Sequence, residues 1–277
     1  MLNHYQLEGD PTKPRLGNLI YDELGQEAIA RLNEEFQGNA SIAYQTLPQI
    51  GQQVAYSNLP RNLFFNQFVR KTCNDIHVSS PEEVIRFWDS IPKRDTTYAD
   101  TNSVAVYPNQ GPNEDLRQRA LYLIGKTKTK VPLIVSGLGV DRGNNGFKFT
   151  ETPYVEAKEA LWLEKDQRVR YDPKKGIVPC EENEPGVSVW TPSSQSGLWG
   201  LYRDRSDELN AGSDDLLLSN ESGRVPLVQD PQGRAENFTD TNLLEHKIST
   251  ALKEKKAFEY QGLIYIPVAA SALKPVD

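Results

Sequence analysis

The residues best spaced for chemistry are Asp141 and the pair in Tyr154-Val-Glu156-Ala-Lys158. Two carboxylates on adjacent strands hold a Mg2+ ion in metal-dependent nucleases and phosphodiesterases, where the ion activates water and steadies the leaving oxygen. A neighbouring lysine then positions the nucleophile or offsets negative charge. Glu156 and Lys158 are two residues apart, so on a strand they point the same way. A plainer reading competes. The same acid-x-Lys spacing recurs at Asp172-Pro-Lys174, Glu245-His-Lys247 and Glu254-Lys-Lys256, and 38 acidic residues make chance matches expected. On that reading the pair is a solvated strand edge or a surface salt bridge. Asp141 also precedes Arg-Gly-Asn-Asn-Gly, which is turn composition.

Other reactive side chains are sparse. The three histidines, His4, His77 and His246, and the two cysteines, Cys73 and Cys180, are scattered. Histidine is the side chain whose ordinary pKa suits acid–base work near neutrality, so few routes exist to a triad or a zinc site. Cys73 and His77 are too few ligands for a metal. Gly137-Leu-Gly139-Val-Asp-Arg-Gly143 follows an apolar strand, as a phosphate cradle would. A cradle needs a helix after the glycines, and Asn144-Asn-Gly-Phe-Lys-Phe-Thr150 reads as β, so a turn between strands is the simpler expectation. Asp204, Asp207, Glu208, Asp214 and Asp215 do not match a calcium-loop spacing. They read as a surface loop with Arg203 and Arg205 as local partners. Trp190 and Trp199 flank a polar loop, where each either fills a sheet core or forms part of a contact surface.

The formal net charge is −7, from 31 basic and 38 acidic residues, which disfavours long-range attraction to phosphate backbones or anionic lipid. A local basic face remains open to nucleic acid. Lys126, Lys128 and Lys130 alternate with threonines, and Arg117 and Arg119 lie just upstream. Binding there would weaken steeply with salt. Segments of membrane-spanning length and apolarity are missing, and the first ten residues lack the pattern of a signal peptide. Two cysteines without an export signal suit a reducing, cytoplasmic setting.

These residues need elements to position them. Asp22–Phe36 has helical apolar spacing and ends near Gly38. Ser41–Tyr44 and Gln53–Tyr56 read as short strands, and Pro60 opens a second helix. Ser80 as N-cap, Pro81, Glu82 and Glu83 mark the start of a third. Ser103–Tyr107, a helix from Asn113 to Ile124, and Val131–Val135 form a βαβ-like unit, which implies a parallel pair. After Gly137 come short runs between turn residues, including Leu216–Leu218, as expected of a mostly antiparallel sheet. A helix over 241–257 and a strand or hairpin around Gln261-Gly262 close the chain. The expectation is an α+β fold: a helix-rich N-terminal half with a small βαβ element, and a β-rich C-terminal half. One continuous domain over 1–277 is favoured, with a possible subdivision near 137 into 21–136 and 137–277. The expected function is a non-catalytic structural or interaction subunit of a larger assembly, with other protein subunits as partners and no cofactor. The alternatives are the Mg2+-dependent nuclease and nucleic-acid binding without cleavage.

Overall fold

The computed structural model describes residues 6–73, 75–88, 98–144, 146–164, 167–204, 208–213, 215–231, 258–260 and 263–265. The chain forms two compact units, 1–232 and 233–277.

In the first unit the helices start where capping chemistry puts them. Helix α1 (Glu23–Glu35) follows Asp22, whose carboxylate accepts from the Gly25 amide, and it buries Leu24, Ala28, Ile29 and Leu32. Helix α2 (Leu59–Thr72) follows Asn58, which caps the Arg61 amide, with Pro60 in its first turn. Helix α3 (Pro81–Arg86) begins with a full capping box between Ser80 and Glu83. Helix α4 (Glu114–Leu123) begins at Asn113 as expected, but Asn113 is left-handed (φ 58°) and makes no side-chain cap. Its Nδ2 instead donates to the Leu198 carbonyl at 3.0 Å, so this residue anchors the helix to the sheet.

The main sheet contains β5 (Tyr98–Val106), β6 (Leu133–Ser136), β9 (Glu156–Glu159), β10 (Arg168–Asp172), β11 (Gly176–Pro179), β12 (Val187–Trp190), β13 (Leu198–Arg203) and β14 (Glu208–Ser213). Their order is β11-β10-β12-β14-β13-β5-β6-β9, and β15 (Gly223–Arg224) adds to β5. All these pairings are antiparallel except β12–β14 and β15–β5. A second sheet has the order β1 (Arg15–Asn18), β16 (Pro226–Gln229), β4 (Ile76–Val78), and two hairpins pair β2 (Gln49–Ile50) with β3 (Gln53–Val54) and β7 (Gly139–Gly143) with β8 (Gly146–Thr150).

Alternation along the strands divides the apolar residues between two cores. One face of β5, β6 and β13 sends Val104, Val106, Leu133, Val135 and Leu198 against α1, α2 and α4. The other sends Ala105, Tyr107, Ile134, Trp199 and Leu201 into a core shared with Val169, Val187, Val189 and Leu209, plugged by Val84, Ile85 and Trp88. The sheet curls around this second core.

The α+β class is as expected, with three local corrections. Strands β5 and β6 flank α4 but pair antiparallel, Ser103 with Ser136 and Val106 with Leu133, so the unit is not βαβ. Ten helical residues advance about 15 Å, and the eight residues 125–132 reach about 26 Å when extended. That is enough chain to return along the helix, so β6 starts beside the end of β5. Ser41–Tyr44 is a turn, because the Ile42 and Ala43 amides both donate to the Asn39 carbonyl. Leu216–Leu218 is also a turn, with Asp215 accepting from the Leu217 amide. Residue 137 lies between β6 and β9, which pair directly.

In the second unit β17 (Phe258–Tyr260) and β18 (Leu263–Tyr265) pair antiparallel, Phe258 with Tyr265 and Tyr260 with Leu263. The helix expected over 241–257 lies outside the described residues, as do His4, His246, Asp207 and Asp214.

Candidate functional site

The curl brings the sheet's terminal strands, β9 and β11, to the two sides of one cleft of about 540 Å3. Its inner wall is apolar: Pro81, Ile134, Trp162 and Ile177. Its rim is charged. Glu156, Lys158 and Glu159 come from β9, and Lys174 and Lys175 come from the turn that leads into β11. Glu82, in the first turn of α3, stands in the gap. Its Oε2 accepts from Lys158 Nζ at 3.0 Å. On the other side, a Cβ added to Gly176 would lie 3.2 Å from Glu82 Oε1. One carboxylate thus sits against both sheet edges and forms a side-chain seam where the sheet leaves backbone unjoined.

Of the expected metal site, Glu156 and Lys158 are together. They are 3.8 Å apart on the same face of β9, both more than half exposed. Lys158 is held more closely by Glu82 than by Glu156, and these carboxylates raise its pKa against the opposing effect of burial. Asp141 is elsewhere: it lies on β7, opposite Lys148 of β8, and does not line the cleft. No group of three or more His, Cys, Asp or Glu side chains among the described residues is arranged to hold a metal ion.

The basic residues also divide. Arg117 is buried, 3 % exposed, and its guanidinium donates to the Tyr107 and Pro108 carbonyls and to Glu114. It ties α4 to the end of β5 and presents nothing to a phosphate. Arg119 donates to the Phe149 carbonyl and lines a second cleft, about 910 Å3, with Arg142 and Lys148. Lys126, Lys128 and Lys130 are exposed along the return to β6. Trp199 fills the inner core and its Nε1–H donates to the Ser196 carbonyl at 2.6 Å. Trp190 is 46 % exposed and lies over Gly212, where a Cβ would come within 1.6 Å of the indole. Gly137 leads into the β7–β8 hairpin; a Cβ there would meet the Tyr154 carbonyl at 2.1 Å, which explains the glycine without a ligand.

Two polar clusters were not foreseen. Ser80, on the cleft wall, donates to Glu83 Oε2 at 2.9 Å, and Glu83 Oε1 lies 2.7 Å from His77 Nε2. His77 Nδ1 is 3.9 Å from Asp230. Burial works against the Glu83 anion, but His77 and the Ser80 donors overcome it and hold the pKa at about 2. The capping-box spacing Ser80-x-x-Glu83 was the available signal, and only its helix-start meaning was legible. The second cluster centres on Asp100, whose Oδ2 accepts from Ser57 Oγ at 2.7 Å. Burial pushes its pKa up to about 7, against the pull of Ser57 and Arg61. Tyr98 and Tyr202 pack edge to face beside it, each with a hydroxyl pKa raised by burial to about 12. An aspartate inside a β-rich run, Tyr98-Ala-Asp100-Thr, was the visible trace.

No protein family model, curated protein or solved structure matches this chain.

Proposed function

We propose that this chain is a non-catalytic interaction subunit of a larger macromolecular assembly, with other protein subunits as its partners. The observation that carries the reading is the incomplete closure of the main sheet. Its two terminal strands border one cleft with an apolar wall, and among the described residues the gap between them is spanned by side chains rather than by a strand. Terminal strands present unpaired backbone groups and are natural sites for adding another chain. A reducing, cytoplasmic setting suits the reading, with only two cysteines in the whole sequence. Among the described residues no helix is long and apolar enough to cross a membrane.

The test is the native mass of the tagged chain in gentle extracts of its own host. A subunit runs far above its 31.2 kDa monomer mass, with a reproducible set of companions. A chain that runs only as a monomer refutes the reading. Two alternatives keep one observation each. Glu156 and Lys158 face the same cleft, which is part of what an Asp…Glu-x-Lys phosphodiesterase needs, while Asp141 lies apart on β7. That reading requires Mg2+-dependent cleavage of DNA or RNA that Glu156→Ala abolishes, and equal cleavage by both proteins removes it. Lys126, Lys128 and Lys130 are exposed, as nucleic-acid binding needs. That reading requires affinity that falls steeply with salt, and no binding at low salt removes it.

A further inference from the structure

We infer that the seam cleft receives a short extended peptide segment of a partner protein, bound as an added strand between β9 and β11. The inference rests on the interaction-subunit reading and names the partner's chemistry. Both walls end in a four-residue strand, Glu156–Glu159 on one side and Gly176–Pro179 on the other. Four residues of strand span about 13 Å, so the matching segment is four to five residues long. Glu82, which stands in the gap against Lys158 and Gly176, would swing out of it, and the segment's main chain would meet the outer edge of each strand, the arrangement of β-strand addition. Pro179 offers no amide, which places the β11 pairing at Gly176–Val178.

The lining fixes the side chains. Alternate residues of a strand face the same way, so one face of the segment looks into the cleft. At its middle it meets Ile134, Trp162 and Ile177, which call for an apolar side chain. Lys174 and Lys175 stand on the β11 side, and Glu156 on the β9 side, on the face it shares with Lys158. A partner segment with an acidic residue towards Lys174 and Lys175 and a basic residue towards Glu156 matches both. The charges also deter indiscriminate pairing: a lysine and glutamates on an edge strand are the usual guard against aggregation. A purely apolar strand would strip water from Glu156, Lys174 and Lys175 and offer them no new partner, at high cost. The cleft therefore selects an amphoteric segment.

The probe is the blocked pentapeptide acetyl-Glu-Thr-Ile-Thr-Lys-amide, titrated into the 15N-labelled full chain. The expected result is saturable binding in the millimolar range or tighter, with shifts concentrated in residues 156–159 and 176–178. Methylating the two threonine amides of the probe should weaken binding at least tenfold, because the added strand loses its donors to one of the two edges. Lys174→Glu combined with Lys175→Glu should weaken it at least fivefold while leaving the spectrum otherwise native. Binding indifferent to methylation, shifts at one edge only, or no binding at 5 mM overturns the inference. A chain found in an assembly that nevertheless ignores the probe keeps the interaction reading and loses the cleft as its docking site. A monomeric native chain removes the interaction reading whatever the probe does.

Discussion

Replacing Asp100 with asparagine should stabilise the first unit at alkaline pH and leave it nearly unchanged in acid. Asparagine keeps an oxygen for the Ser57 hydroxyl, which lies 2.7 Å from the carboxylate, but never ionises. In the native chain the Asp100 pKa is raised from 3.8 to about 7 by burial. The folded state therefore holds this proton where the unfolded chain has released it. The stabilisation from the protonated form is fully present below about pH 4, declines as pH rises, and is gone above about pH 7. Each pKa unit is worth 1.36 kcal/mol, so the full shift corresponds to about 4 kcal/mol. Asp100 is only partly shielded from water, which lowers the expectation to about 2–3 kcal/mol. The assay is urea unfolding at pH 4, 6 and 8 at fixed ionic strength, followed by tryptophan fluorescence. All four tryptophans lie in the first unit, so the signal reports that unit alone. Asp100→Asn should match the native protein at pH 4 and exceed it at pH 8. A difference that does not change with pH, or a variant weaker at pH 8, would show that this carboxyl is not desolvated in the folded state.

Three further substitutions probe the supports of the cleft and sheet. Glu83→Gln removes the anion shared by His77 and Ser80 and should cost about 1–3 kcal/mol at pH 7. Because the Glu83 pKa is depressed from 4.5 to about 2, its stabilisation is present above about pH 4.5 and lost as pH falls through 2, so the cost measured by urea unfolding must shrink towards pH 2.5. Gly212→Ala places a methyl 1.6 Å from the Trp190 ring. It should displace the indole, change the fluorescence and cost about 1–3 kcal/mol; unchanged emission would contradict the packing. Arg117→Lys cannot reproduce donors to Tyr107, Pro108 and Glu114 together and should lower stability by about 2–3 kcal/mol, whereas a neutral change in thermal unfolding would return Arg117 to the surface.

Local chemistry made the helices legible. Asp22, Asn58 and Ser80 each accept a first-turn amide, and that bond depends only on residues three apart. Strand direction is a different matter. The pattern strand–helix–strand around α4 was visible, but apolar spacing carries no sign of whether β6 runs with or against β5. The path of residues 125–132 decided it, and those residues, mostly exposed, carry no apolar pattern that fixes a strand direction. The candidate site divides the same way. Glu156 and Lys158 were found together because they share one strand and period two fixes their faces. Asp141 was placed with them on the strength of sequence order alone, and the intervening β7–β8 hairpin takes it into another sheet. In the sequence Glu82 reads as a helix-start acid. Its role beside Lys158 and Gly176 depends on a sheet curling through eight strands, which no local pattern encodes.

Amide hydrogen exchange in the isolated chain and in the complex recovered from its host tests the docking seam most directly. The outward amides of Glu156–Glu159 and Gly176–Val178 should exchange at least tenfold more slowly in the complex, while those of the central strand β13 stay unchanged. Equal exchange at both edges, with protection gained elsewhere, would place the partner on another surface and leave the cleft without a guest.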